Sequence, residues 1–94
     1  MKVIKLDKRH KYYKHGFQAA LRFNSTSDKN IRKIEIYLRD THGQLPWKEH
    51  QQKQHPYLCY LSSRGSWKRK SKVYWICVKN PAVLTMALLA VDLT

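Results

Sequence analysis

An α+β fold is expected from this chain: an antiparallel sheet of three to four strands with two helices, in one domain covering residues 1–94. Three features point there. Lys72 to Val78 (Lys-Val-Tyr-Trp-Ile-Cys-Val) is dense in the β-branched and aromatic side chains that suit a pleated sheet. Two other stretches, near Asp28 and Asn80, carry the start signals of helices. The length of 94 residues allows one modest core and no second domain.

In chain order, Val3, Ile4 and Leu6 mark a short first strand. Phe17 to Phe23 follows Gly16. Ala19 and Ala20 favour helix there, whereas the alternation of Phe17, Ala19, Leu21 and Phe23 favours a half-buried strand, the assignment adopted. Ser25-Thr26-Ser27 and Asp28 supply an N-cap and an acidic start, because a side-chain oxygen there accepts from the first free N–H groups. Ile31, Ile34 and Leu38 then fall on one helical face. Asp28 with Arg32, and Glu35 with Arg39, are acid-before-base pairs four apart. Gly43 suits the position past the end. Ile34, Ile36 and Leu38 also alternate as a strand would, but the caps and pairs decide for a helix from about Asp28 to Thr41. Gln44 to His55, with Pro46, is a polar loop. Pro56 to Leu61 reads as a strand, Ser62 to Ser71 as a long basic turn, and Lys72 to Val78 as its hairpin partner. Asn80 caps a last helix with Pro81 at its first position, running to about Val91.

This order of strand, helix, strand, strand, helix resembles an open ferredoxin-like sandwich, the frame used by RNA-recognition modules. Val73 to Leu88, an aromatic strand running through Asn-Pro into a helix of small apolar residues, carries the resemblance. The chain lacks the Arg-Gly-Phe-Gly-Phe string of those modules.

Charge directs the functional expectation. Nineteen Lys and Arg stand against six Asp and Glu, a formal net charge of +13. Such a field concentrates anions, and nucleic acid is the commonest dense polyanion in a cell. Two basic segments interleave cations with flat rings: Lys8, Arg9, Lys11, Tyr12, Tyr13 and Lys14, and Arg64, Trp67, Lys68, Arg69, Lys70 and Lys72. Cations neutralise phosphates and release counterions, and rings stack on unpaired bases. In the hairpin, Val73, Trp75 and Cys77 share one face, and Tyr74, Ile76 and Val78 the other. The more aliphatic set should face the helices, leaving Trp75 on the open face, with Tyr57 or Tyr60 beside it. The expectation is a nucleic-acid-binding protein, backbone-directed and weakly sequence-specific, with RNA or single-stranded DNA preferred.

The alternative is a protein-interaction module, an inhibitor, adaptor or assembly subunit that binds an acidic partner. The last helix suggests it: Thr85 is the one polar residue from Pro81 to Val91, and Val83, Leu84, Met86, Leu88 and Leu89 are expected to meet a second copy or a larger protein. A second alternative is a small nuclease. The six carboxylates are scattered, and no phosphate-binding Gly-rich loop, nucleophile elbow or Cys–His motif occurs, so no catalytic residue is assigned. His42, His50, His55 and Cys59 lack a Cys-x-x-Cys pair and are taken as surface groups, so no metal or cofactor is expected. No apolar run suits a signal peptide or a membrane span, and two cysteines make no disulfide framework. The expected setting is cytoplasmic, with no membrane partner.

Overall fold

The structure is a computed structural model describing residues 2–64 and 71–91. Four strands form one antiparallel sheet: β1 (Lys2–Lys5), β2 (Ala19–Phe23), β3 (Tyr57–Arg64) and β4 (Ser71–Val78). Two main helices, α1 (Lys29–His42) and α3 (Pro81–Ala90), accompany them, with a single helical turn, α2 (Glu49–Gln52), inside the stretch expected to be loop. Spatial order is β1-β2-β4-β3. β2 and β3 therefore run parallel with β4 between them, joined through α1 as a split β-α-β unit. This order departs from the ferredoxin-like one, where a strand after the second helix holds the edge beside the first. Here that edge belongs to β1, which arrives from the N-terminus.

Local chemistry sets the helix ends. Asp28 caps α1, its carboxylate accepting from the Asn30 N–H at 2.9 Å. Gly43 stops the helix at φ +91°, a backbone angle that favours glycine, and its N–H reaches the Arg39 carbonyl. Asn80 caps α3 through the Ala82 N–H at 3.0 Å, with Pro81 where its missing N–H costs nothing. The expected acid–base pairs find other partners. Asp28 serves the helix terminus, Glu35 accepts from the Tyr74 hydroxyl, and Arg39 lies 3.9 Å from Asp40.

Both faces of the sheet are covered. Ala19, Leu21, Phe23, Tyr57, Ile76 and Val78 pack beneath Ile31, Ile34 and Leu38 of α1 and Leu84 and Ala87 of α3. On the other face Ala20, Leu58 and Cys77 meet Leu6, Tyr12 and Phe17, side chains of the segment linking β1 to β2. That segment contains a 3-10 turn, Tyr13–His15, ended by Gly16 at φ +96°. The half-buried strand expected at Phe17 to Phe23 is thus a central strand buried on two sides, and the face expected to be open is roofed. Cys59 and Cys77 are free thiols on opposite faces, and burial pushes the pKa of each up to about 12.

Candidate nucleic-acid interface

The roof over the second face brings cations and rings together. Tyr60 and Trp75 are cross-strand partners, stacked with centroids 5.9 Å apart and planes 2° apart. His10 sits against the Trp75 ring at 5.3 Å. Its Nδ1 accepts from the Tyr12 N–H at 3.2 Å, so the neutral ring keeps its proton on Nε2 and donates to the Tyr60 hydroxyl at 2.7 Å. Burial, then the Lys11 charge, lowers the His10 pKa, with Asp7 opposing. Lys11 Nζ stands 4.3 Å from the Tyr60 ring centre, a cation–π contact. Trp75 donates its indole N–H to Ser62 Oγ at 3.0 Å. Beside it in register on β2, Arg22 holds a buried Nε with no hydrogen-bond partner among the described residues.

A recess of about 180 Å³ opens beside this cluster, lined by Lys11, Tyr12, Lys14, His15 and Lys53. Three parts of the chain supply the charge here. Lys11, Lys14 and His15 come from the 3-10 turn region, Lys53 follows α2, and Lys79 follows β4. The His15 pKa is lowered first by burial and then by Lys53, Lys14 and Lys79. Lys79 also reaches over the Phe17 ring at 5.3 Å. Among the described residues, no carboxylate lines the recess.

The expected site residues separate. Lys8, Lys11 and Lys14 are exposed on the roof. Arg9 is exposed too, but its guanidinium is 2.9 Å from Asp7, whose carboxyl this partner holds below its ordinary value. Tyr13 is exposed. Tyr12 requires a correction: at 8% exposure, packed edge-on to Phe17 and near Tyr60, it has no face for a base. Its charged neighbours suggested exposure, but a 3-10 turn points adjacent residues in different directions. Trp75 lies on the face expected, with one side of its ring already held by Tyr60. Lys72 is exposed on the helix side of the sheet, since it alternates with Val73. Arg64 ends β3 opposite Ser71, about 23 Å along the hairpin from the Tyr57–Val78 end near Lys79. Trp67, Lys68, Arg69 and Lys70 lie outside the described residues.

The α3 set is also divided. Leu84 is core at 3% exposure, and Val83 and Leu88 are half buried against the same core. Met86, at 57%, and Leu89, at 78%, face outward. Periodicity does not choose a buried side on a helix that is apolar all round. The sheet beneath it does.

Sequence reasoning missed Lys53, Lys79, Arg22 and Trp47. Arg22 was open to inference, because alternation with Leu21 and Phe23 puts it on the Trp75 face. Trp47, exposed to 94% beside Pro46, is a large ring in an otherwise polar loop, which was itself a signal. The Gln52 amide donates to the Pro46 carbonyl at 2.8 Å, tying that loop to α2.

A larger recess of about 430 Å³ lies between α1 and the β3–β4 pair. Its Tyr57 hydroxyl already donates to the Gly43 carbonyl and its Tyr74 hydroxyl to Glu35, leaving a mixed lining with both signs of charge. Among the described residues there is no group of three side chains able to hold a metal ion, and no helix long and apolar enough to cross a membrane. No family model matches the chain, and neither the curated proteins nor the solved structures give a significant match.

Proposed function

We propose that this protein binds nucleic acid through the phosphate backbone, with unpaired strands preferred. One observation carries this: Lys11, Lys14, His15 and Lys53, from two separate stretches, line one recess with no carboxylate in its lining among the described residues, and Lys79, from a third, acts on the same imidazole. Like charges so gathered repel, and a polyanion relieves that repulsion while releasing its own counterions. Among the described residues, Trp47 and Tyr13 are the rings exposed for stacking, in place of Tyr12 and the roofed Trp75. The recess lining is mainly lysine, which suits phosphate oxygens, and weak sequence preference is part of this reading. The role is binding and not catalysis: Asp7, Asp28 and Glu35 are each engaged structurally, by Arg9, the α1 terminus and Tyr74.

Fluorescence anisotropy against a mixed-sequence single strand tests this. Four phosphate contacts, one for each lysine, give a log–log salt slope of about −2.8, a loss of about fiftyfold between 50 and 200 mM salt. Absence of binding at 50 mM salt would overturn it.

The outer side of α3 favours a second role as a protein-interaction module. Met86 and Leu89 stand exposed on a helix with no charged residue from Asn80 to Val91. Light scattering coupled to size exclusion tests self-association, and Leu89→Lys should abolish any dimer formed this way.

A further inference from the structure

The recess among Lys11, Lys14, His15 and Lys53 differs from a generally basic surface in shape and in origin. It measures about 180 Å³, room for roughly six waters at liquid density. A single phosphoryl group fits in that space. An internal phosphodiester lies across the same cations, but it carries one charge and is tethered on two sides, so it draws less from them. A terminal phosphomonoester enters end-on, presents three free oxygens and carries a charge of about −1.5 to −2 at neutral pH. That charge matches a lining of three ammonium groups and an imidazole, with a fourth ammonium, Lys79, acting on the same imidazole.

The supporting geometry is independent of the number of charges. Tyr12 forms a wall that is itself fixed by Phe17 and Tyr60. His15 is held in the 3-10 turn by its N–H bond to the Tyr12 carbonyl at 3.0 Å. Lys79 is anchored by the bond from its N–H to the Pro56 carbonyl at 3.1 Å. The backbone at His15 and Lys79 is therefore held by bonds within the fold, and a preorganised site loses less on binding.

We infer that this recess seats the terminal phosphomonoester of a nucleic-acid strand, so that the protein distinguishes phosphorylated ends from hydroxyl ends. This rests on the nucleic-acid reading above and adds the chemical group that the site selects.

The experiment compares four probes at fixed salt: one oligonucleotide with a 5′-phosphate, the same with a 3′-phosphate, the same with two hydroxyl ends, and inorganic phosphate. The better of the two phosphorylated strands should bind about tenfold tighter than the hydroxyl-ended one, and its identity names the end. Lys53→Gln should collapse that difference and Lys53→Arg should restore it, with circular dichroism reporting that each variant folds. By NMR, inorganic phosphate should raise the His15 pKa in the wild type and less in Lys14→Gln. Equal binding of all three strands, with no His15 response, overturns end recognition while leaving backbone binding intact. No strand binding at low salt, with His15 still responding to phosphate, overturns the nucleic-acid reading and leaves a free-phosphate pocket. Silence in both measurements overturns both.

Discussion

The two faces of the sheet are covered by different means. Toward α1 and α3 the contact is between regular elements, with Leu21, Phe23, Ile34, Leu38, Ile76 and Val78 all at zero exposure. Toward the N-terminus the cover is a single connecting segment, held by Leu6, Tyr12, Phe17 and one histidine. Charge divides the same way. α1 and its cap carry four cations, Lys29, Arg32, Lys33 and Arg39, beside three carboxylates, Asp28, Glu35 and Asp40. Residues 2–22 carry seven cations, Lys2, Lys5, Lys8, Arg9, Lys11, Lys14 and Arg22, beside Asp7 alone. One face is an apolar core with a balanced exterior. The other is an aromatic layer beneath an unbalanced one, and there the candidate binding geometry lies.

The largest expected effect tests whether the faces are energetically distinct. Ile34→Ala should lower global stability by about 3–4 kcal/mol in urea denaturation, through a cavity that cannot collapse between helix and sheet. Tyr12→Ala should cost less, about 2 kcal/mol, because the roof relaxes toward water. Hydrogen exchange should then quicken at residues 6–17 with α1 unchanged. Equal quickening in α1 would show one cooperative core and dissolve the contrast.

A smaller effect isolates the electrostatic side. Lys53→Gln and Lys79→Gln should each reduce the magnitude of the salt slope for single-strand binding by about 0.7. Arg32→Gln, on the balanced exterior, should leave the slope unchanged. If Arg32 mattered as much as Lys53, the ligand would follow the whole surface and not the N-terminal face.

The smallest effect concerns acid. The folded-state pKa of His10 lies below its unfolded value of about 6.5, so the unfolded chain takes up the proton first. The stability this group supports is complete above that value and declines as pH falls below it. Protonated Nδ1 no longer accepts from the Tyr12 N–H, which loosens the roof. His10→Gln should flatten the urea midpoint across pH 7 to 5 relative to wild type.

Much of the fold was legible because its signals are local. Asp28, Gly43 and the Asn80-Pro81 pair set helix ends through contacts within a few residues. The run from Lys72 to Val78 is too rich in β-branched and aromatic side chains, and too short, to suit another element. The face of Trp75 followed from simple alternation along that run.

The roof was not legible. Leu6, Tyr12 and Phe17 follow no helical or strand period, so nothing in their spacing marks them as one layer. Tyr12 looked exposed because its neighbours are charged, and Leu84 looked like an interface residue because α3 is apolar on every side. Lys53 and Lys79 are single cations in ordinary stretches, and their importance comes only from where the chain returns.

Element types, helix caps and the excess of positive charge were settled at the level of residue identity, because each depends on a side chain or on neighbours a few positions away. Three outcomes waited on folding: which side of α3 is buried, that the N-terminal segment covers the sheet, and that Lys11, Lys14, His15 and Lys53 line one recess. Those depend on strand order and long-range packing, where residues separated by tens of positions are brought together by burial of the apolar groups between them.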